Sequence, residues 1–456
     1  MSNSQLPVVI IGAGPVGLAA AAHAVSRRMV PLVLEAGPRV GEGVRRWKHV
    51  RMFSPWQFGV DAASVEILTR HGWTTPPIDG YPTGRDLVEK YLEPLAATDE
   101  LAPHIRLNTR VTAVARLAVD RMKNGGREEA PFLVRVQGPD GAQDIVARAV
   151  IDASGTIDQP GPLGASGLHA LGERAAASRV FYGIPDVLGA ERQRYAGVRV
   201  LVAGSGHSAL NALLDMAQLA DEEPATKIVW VIRRQSLGQL LGGIRQDQLE
   251  ERGKLGSRVR RLLDECCIDL VKEFRIDRVM ATPAGVVVSD GERSLPPVDE
   301  IVATTGFRPD WSILSEVRLD LDPAVESPRA LAPLIDPNIH SCGTVLPHGA
   351  EELKQPDANL FIIGMKSYGR APTFLLLTGY EQARSVVSAI AGDWDAARRV
   401  ELTLPETGVC SSDAAESGVS CCGASSPEAV PIAVARVQAK KHSQTVAAPA
   451  VTTGCC

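Results

Sequence analysis

Gly12-Ala13-Gly14-Pro15-Val16-Gly17 follows the apolar run Leu6-Pro7-Val8-Val9-Ile10-Ile11 and precedes a helical stretch over 16–27. This is the spacing of a strand-to-helix turn in which backbone N–H groups come close to a pyrophosphate at the helix N-terminus. The next strand, Val30-Pro31-Leu32-Val33-Leu34-Glu35, ends in an acid about 20 residues beyond the turn. A carboxylate there accepts hydrogen bonds from a ribose 2′-hydroxyl, so Glu35 favours a nucleotide without a 2′-phosphate, such as FAD. Gly12, Gly14, Gly17 and Glu35 are the residues expected to hold it.

A second turn of the same kind, Gly204-Ser205-Gly206-His207-Ser208-Ala209, follows Val198-Arg199-Val200-Leu201-Val202-Ala203. Its own second strand, Lys227-Ile228-Val229-Trp230-Val231-Ile232, closes with Arg233-Arg234 instead of an acid. Two cations at that place suit the 2′-phosphate of NADPH, so Gly204, Gly206, Ala209, Arg233 and Arg234 are assigned to the second nucleotide. His207 either faces the nicotinamide or caps and packs at the helix start. A glycine turn alone is weak evidence; here each has its preceding strand, following helix and second strand with a suitable terminal residue.

The chain has 456 residues, more than one hydrophobic core usually serves. Its formal charge of −5 offers no broad basic face for nucleic acid or anionic lipid, and Arg258, Arg260 and Arg261 read as a solvated helix face. No apolar run reaches membrane-spanning length, and the N-terminus enters a strand directly, so a cytoplasmic protein is expected. The strand Ala149-Val150-Ile151-Asp152 delivers a small-residue turn at Gly155, which admits close approach of backbone to a ligand. The second block ends similarly at Gly306. A later strand, Asn359-Leu360-Phe361-Ile362-Ile363-Gly364, precedes a helix expected from about Thr373.

The fold class is therefore α/β: a Rossmann-like FAD domain interrupted by a second Rossmann-like NAD(P)H domain, with a disordered C-terminal tail. The expected pieces are 1–177 and 309–395 for the first domain, 178–308 for the second and 396–456 for the tail. The tail has small residues without sustained periodicity, yet carries Cys410, Cys421, Cys422, Cys455 and Cys456. Cys266-Cys267 falls in a helical pattern over 260–271 and is expected to be partly buried packing.

With these residues in place, 6–395 resembles the flavoproteins with two dinucleotide-binding domains, and most closely the flavin-dependent monooxygenases. Gly80-Tyr81-Pro82-Thr83-Gly84-Arg85 is similar to their stretch before a substrate-side helix, and Ala303-Thr304-Thr305-Gly306-Phe307 to their Ala-Thr-Gly-aromatic turn. The stretch 361–385 is similar to the segment that brings a strand and a helix N-terminus to the isoalloxazine. This resemblance implicates Gly364 and Gln382 in cofactor binding and puts Tyr368, Arg370 and Tyr380 near the flavin face, with a fold-stabilising role the equal alternative for each of the three. Two departures stand out. Phe181-Tyr182-Gly183-Ile184-Pro185-Asp186-Val187 has valine where those enzymes have histidine, and their Gly-Gly-x-Trp becomes Gly41-Glu42-Gly43 with Trp47 displaced. The chain has no Cys-x-x-Cys, which a dithiol reductase of the thioredoxin-reductase type requires.

The tail resembles that of mercuric reductases in ending on a vicinal cysteine pair, and monooxygenase-like flavoproteins are also known from arsenic-resistance clusters. Cys421, Cys422, Cys455 and Cys456 are candidate soft-metal or metalloid ligands, since adjacent thiolates offer two soft donors to one thiophilic ion. Three functions follow for a small-molecule substrate. The leading one is NADPH reducing FAD, which then activates O2 to oxygenate a soft nucleophile or metalloid compound. The rivals are an NADPH-dependent reductase of a thiol-bound metalloid or quinone without oxygen insertion, and a non-catalytic FAD-holding sensor. The sequence assigns no catalytic acid, base or nucleophile.

Overall fold

The structure, a computed structural model, describes residues 5–237, 250–265, 267–340, 345, 347–372 and 374–402. Backbone packing groups 1–416 as one unit, and 417–456 fall outside the described residues. Strand β1 (Val8–Ile11) leads into helix α1 (Pro15–Ser26), β2 (Pro31–Leu34), α2 (Ala62–Arg70) and β3 (Ile105–Arg106). An antiparallel meander follows, β4 (Arg110–Arg116), β5 (Phe132–Gly138) and β6 (Gly141–Ala147), and then β7 (Ala149–Asp152).

β1 pairs in parallel with β2 on one side and β7 on the other, with Val8 opposite both Pro31 and Ala149. Both strands are buried along their length because the sheet is covered on both faces, which is why they read as unbroken apolar runs. The meander supplies one cover: Phe132, Val134 and Val136 alternate inward and pack on Val9, Ile11 and Val150. Helix α1 supplies the other, with Pro15 at its first position and a run of buried alanines that brings it close to the sheet.

The chain then builds a second parallel sheet from β8 (Val180–Tyr182), β9 (Arg199–Ala203), β10 (Lys227–Val231), β11 (Asp269–Val271) and, further on, β14 (Glu300–Ala303). Helices α3 (His207–Glu222) and α4 (Glu250–Asp264) pack on one face. The hairpin β12 (Arg278–Thr282) and β13 (Gly285–Ser289) packs on the other through Val279, Val286 and Val288. Strand β15 (Leu360–Ile362) then rejoins the first sheet beside β7, and α5 (Leu376–Ile390) packs along α1. The outgoing and returning connections are hydrogen-bonded to each other: Gly161 N donates to Gly306 O at 2.7 Å and Arg308 N to Gln159 O at 2.8 Å.

Three local expectations are corrected. A boundary at 395 falls inside helix α6 (Trp394–Arg398), where Ala396 and Ala397 are buried and Ser385 Oγ donates to Ala397 O at 2.6 Å. The buried core therefore extends past 395 to Ala397; Asp393 caps the added turn by accepting from Ala396 N. Helix α4 ends at Asp264, so Cys267 lies beyond it and is exposed instead of packed; Cys266 lies outside the described residues. The helix expected from Thr373 begins at Leu376.

Candidate functional site: two dinucleotide turns

The three glycines of the first turn do three different things. Gly12 has φ +98° and lies so close to β7 that a Cβ would sit 2.9 Å from Ala153 O. A Cβ on Gly17 would be 2.0 Å from Gly12 O, so only hydrogen lets the helix begin against its own strand. Around Gly14 a Cβ would meet nothing within 4 Å. That open place, beside the backbone N–H groups at the start of α1, is where a phosphate can approach. The second turn repeats the arrangement. Gly204, at φ +131°, would put a Cβ 2.5 Å from Thr304 O; Gly206 faces open space; and Ala209 is wholly buried in α3.

The turns after β7 and β14 complete the two cradles. Gly155 and Gly306 both border open space, and each turn touches the first glycine of its own unit. Gly364, after β15, sits 3.4 Å from Val16 by the same measure, which brings the third segment to the start of α1. Glu35, at the end of β2, accepts from Ala13 N and Gly37 N, both at 2.8 Å. Its carboxylate thus fixes the first turn as well as standing where a ribose would be recognised. Each oxygen keeps further lone-pair capacity for that role. The open cradle of the first turn, with its backbone N–H groups and the Glu35 carboxylate beside them, fits an FAD.

Gln382 is wholly buried, and its amide organises backbone. Its Oε1 accepts from Gly364 N at 2.7 Å, while Nε2 donates to Ser367 Oγ and meets His348 Nε2, both at 2.9 Å. Sequence reasoning missed Lys366. Its Nζ lies 2.6 Å from Asp152 Oδ2, with both side chains buried, and 5.2 Å from the centre of the Trp311 ring. A lysine two residues after a glycine at a strand end was the available signal, but its buried partner is more than 200 residues away in sequence.

In the second unit Arg233 is exposed just past β10, with Nη1 donating to Ala165 O at 3.3 Å, and Arg234 is half-buried beside it. His207 opens α3 and packs against Phe53 of the first unit, ring centres 5.4 Å apart. His49, from the same loop as Phe53, sits near Ile184, Pro185 and Asp186. Burial holds its imidazole below the ordinary value against the opposing pull of Asp186 and that backbone. Asp215 on α3 is pushed up to about 6 by burial and by Asp186, with Arg258 opposing.

Three residues expected near the flavin face have other partners. Tyr380 is buried and donates to Gly59 O at 2.8 Å. Tyr368 is buried, with its ring edge-on to Phe374, and Arg370 pairs with Glu326 at 2.6 Å. Among the described residues no group of three or more His, Cys, Asp or Glu side chains is placed to hold a metal ion. Cys410, Cys421, Cys422, Cys455 and Cys456 lie outside those residues. Among the described residues no helix is long and apolar enough to cross a membrane.

Two parallel sheets, each with a glycine cradle at the start of its helix and joined by paired connectors, define a two-dinucleotide oxidoreductase. The model of the pyridine nucleotide-disulphide oxidoreductase family matches residues 9–329, and the chain belongs to that family. Among curated proteins it is similar to indole-3-pyruvate monooxygenase YUCCA1 of Oryza sativa subsp. japonica, 27% identical over 212 residues. That match spans 46% of this chain and 45% of the rice protein. Among solved structures it is similar to the bacillithiol disulfide reductase Bdr (YpdA) of Bacillus cereus. The TM-score is 0.59 at 20% identity, covering 85% of this chain and 99% of that one. The ornithine N-hydroxylase KtzI of Kutzneria sp. 744, solved with reduced FAD, NADP+ and L-ornithine, gives 0.57 at 16% identity over 84% of this chain and 98% of its own. The chain is an enzyme of the oxidoreductase class, with the fold shared by flavin monooxygenases and disulfide reductases.

Proposed function

We propose that the protein is an FAD- and NADPH-dependent, monooxygenase-like enzyme acting on a small soft nucleophile or a metalloid compound. The observation that carries the cofactor assignment is the pair of open cradles with opposite recognition groups. One has a carboxylate, Glu35, at its second strand; the other has Arg233 and Arg234. Gly12, Gly14, Gly17, Glu35 and Gly155 would hold FAD, and Gly204, Gly206, Ala209, Gly306 and the two arginines would hold NADPH. Bound flavin supplies two-electron transfer from reduced nicotinamide and reactivity towards O2. The chain supplies position: Gln382 locks the Gly364 turn, Lys366 pins it to β7, and the paired connectors link the two units.

The lack of a Cys-x-x-Cys supports oxygen chemistry over dithiol reduction. The likeness to a bacillithiol disulfide reductase keeps a second reading, reduction of a thiol-bound metalloid or quinone, in view. The vicinal pairs Cys421-Cys422 and Cys455-Cys456 are the soft donors that favour a metalloid, and a reducing cytoplasm keeps such thiols available. NADPH oxidation by the FAD-loaded protein, followed with and without O2 and with and without trivalent arsenicals, tests this. Strict O2 dependence with labelled oxygen in the product is expected. Equal turnover under anaerobic conditions establishes the reductase instead.

A further inference from the structure

A cavity of about 300 Å3 lies between the segment 39–48 and the segment 85–89. Arg39, Arg45, Arg46, Lys48 and Arg85 face it against two carboxylates, Glu42 and Glu89. This excess of cations stands on a chain whose net charge is −5. The walls are joined by backbone. Arg85 N donates to Lys48 O at 2.9 Å and Gly84 N to Val50 O at 3.0 Å, while a Cβ on Gly84 would lie 2.7 Å from the Trp47 ring. Gly41 N donates to Ala13 O at 2.9 Å, which sets the cavity beside the first dinucleotide turn.

Some of these cations already have partners. Arg45 pairs with Glu93, and Arg46 Nη2 lies 2.5 Å from Asp158 Oδ1. Arg39 Nε and Arg45 Nε form longer ion pairs with Glu42 Oε2, at 3.7 and 4.0 Å, and the side chains of Lys48 and Arg85 have neither ion pair nor hydrogen bond among the described residues. Glu42 Oε2 is buried there and accepts no hydrogen bond. A buried acceptor of this kind calls for a donor. The cavity thus presents the unpaired cations Lys48 and Arg85, and one acceptor that has ion pairs but no hydrogen bond, to the same occupant.

We propose that this cavity binds a small multivalent oxyanion that also carries a hydroxyl, with FAD in place in the neighbouring cradle. The oxyanion meets Lys48, Arg85 and Arg39 through charge-assisted hydrogen bonds, and the hydroxyl donates to Glu42 Oε2. Phosphate groups and hydroxy-carboxylates share this chemistry. Sulfate has the charge without the donor.

The test is calorimetric titration of the FAD-loaded full-length protein with inorganic phosphate, citrate and sulfate. Saturable binding of phosphate or citrate is expected, at least about tenfold tighter than sulfate, because sulfate leaves the buried acceptor without a donor. Which of the two binds tighter identifies the source of the oxyanion. Lys48→Ala with Arg85→Ala is expected to weaken it at least about tenfold without changing FAD content, and added NaCl to weaken it further. Glu42→Gln, which supplies an N–H donor, is expected to abolish the preference over sulfate. Absence of saturable binding to the wild-type holoenzyme, or unchanged binding by the double variant, overturns the proposal. So does loss of FAD from the double variant, which assigns the cations to the flavin instead. Visible absorbance of the purified protein reports FAD content separately, so failure of the cofactor reading is seen apart from failure of this one.

Discussion

Lys366 Nζ stands 2.6 Å from Asp152 Oδ2 and 3.2 Å from Ser154 Oγ, joining the turn after β15 to the end of β7. Asp152 Oδ1 accepts in addition from Ser154 N at 3.0 Å and Ser154 Oγ at 2.7 Å. The lysine side chain is 1% exposed and the aspartate 0%, so neither charge has water to fall back on. Lys366→Met leaves a buried carboxylate without its counter-charge and is expected to destabilise the protein by about 3–5 kcal/mol. Combining it with Asp152→Asn should recover most of that loss. Denaturant unfolding of the two variants and the wild type checks both statements; equal losses in the single and the double variant would contradict them.

The glycines of the first turn are expected to separate binding from folding. Gly14→Ala puts a methyl into the open cradle without a clash, so the chain should fold and fail to retain FAD. Gly17→Ala drives a methyl to 2.0 Å from Gly12 O and should destabilise the apoprotein itself. Visible absorbance of the purified protein, read together with far-UV circular dichroism, distinguishes the two.

Arg233 and Arg234 are expected to set coenzyme preference, and Arg233, exposed with a long hydrogen bond of 3.3 Å to Ala165 O, to do so without contributing to the fold. Removing both should lower the ratio of kcat/KM for NADPH over NADH by about 10- to 100-fold, the worth of one or two charge-assisted hydrogen bonds. Arg233→Ala alone should leave thermal stability within about 0.5 kcal/mol. An unchanged ratio would take these residues out of the site.

Asp215 gives a pH dependence of definite sign. Its carboxyl is raised from 3.8 to about 6 in the folded protein, by burial first and then by Asp186. Between those values the unfolded chain ionises at Asp215 while the native one holds its proton. Stability from this group therefore falls as pH rises from about 4 to about 6 and stays reduced above. Asp215→Asn should add about 2–3 kcal/mol at neutral pH and change little below about pH 4. Urea midpoints at the two pH values measure it, and a gain of equal size at both would rule out this cause.

Both glycine turns, their strands and their terminal residues were legible in the sequence because every part of a strand-turn-helix unit lies within about 30 residues. The end of the core was not. The tail's composition suggested a stop at 395, whereas Asp393 caps one more turn and Arg384 and Ser385 bind its carbonyls. Cys267 was misplaced for a related reason. Apolar periodicity continued through 260–271, but the chain leaves the helix after Asp264 to form β11.

The order of residues alone determined the two nucleotide units and the opposite charges at their second strands, because glycine conformation, strand hydrophobicity and turn spacing are local properties of the chain. Only the tertiary structure decided which distant groups meet. It put Lys366 on Asp152, gave Gln382 to Gly364, rested Phe53 on His207, and gathered Arg39, Lys48 and Arg85 around one cavity. Those contacts follow from how two covered parallel sheets and their connectors close on each other. The free energy of burying a charge or a polar group depends on the partner that closure delivers, which no stretch of sequence specifies by itself.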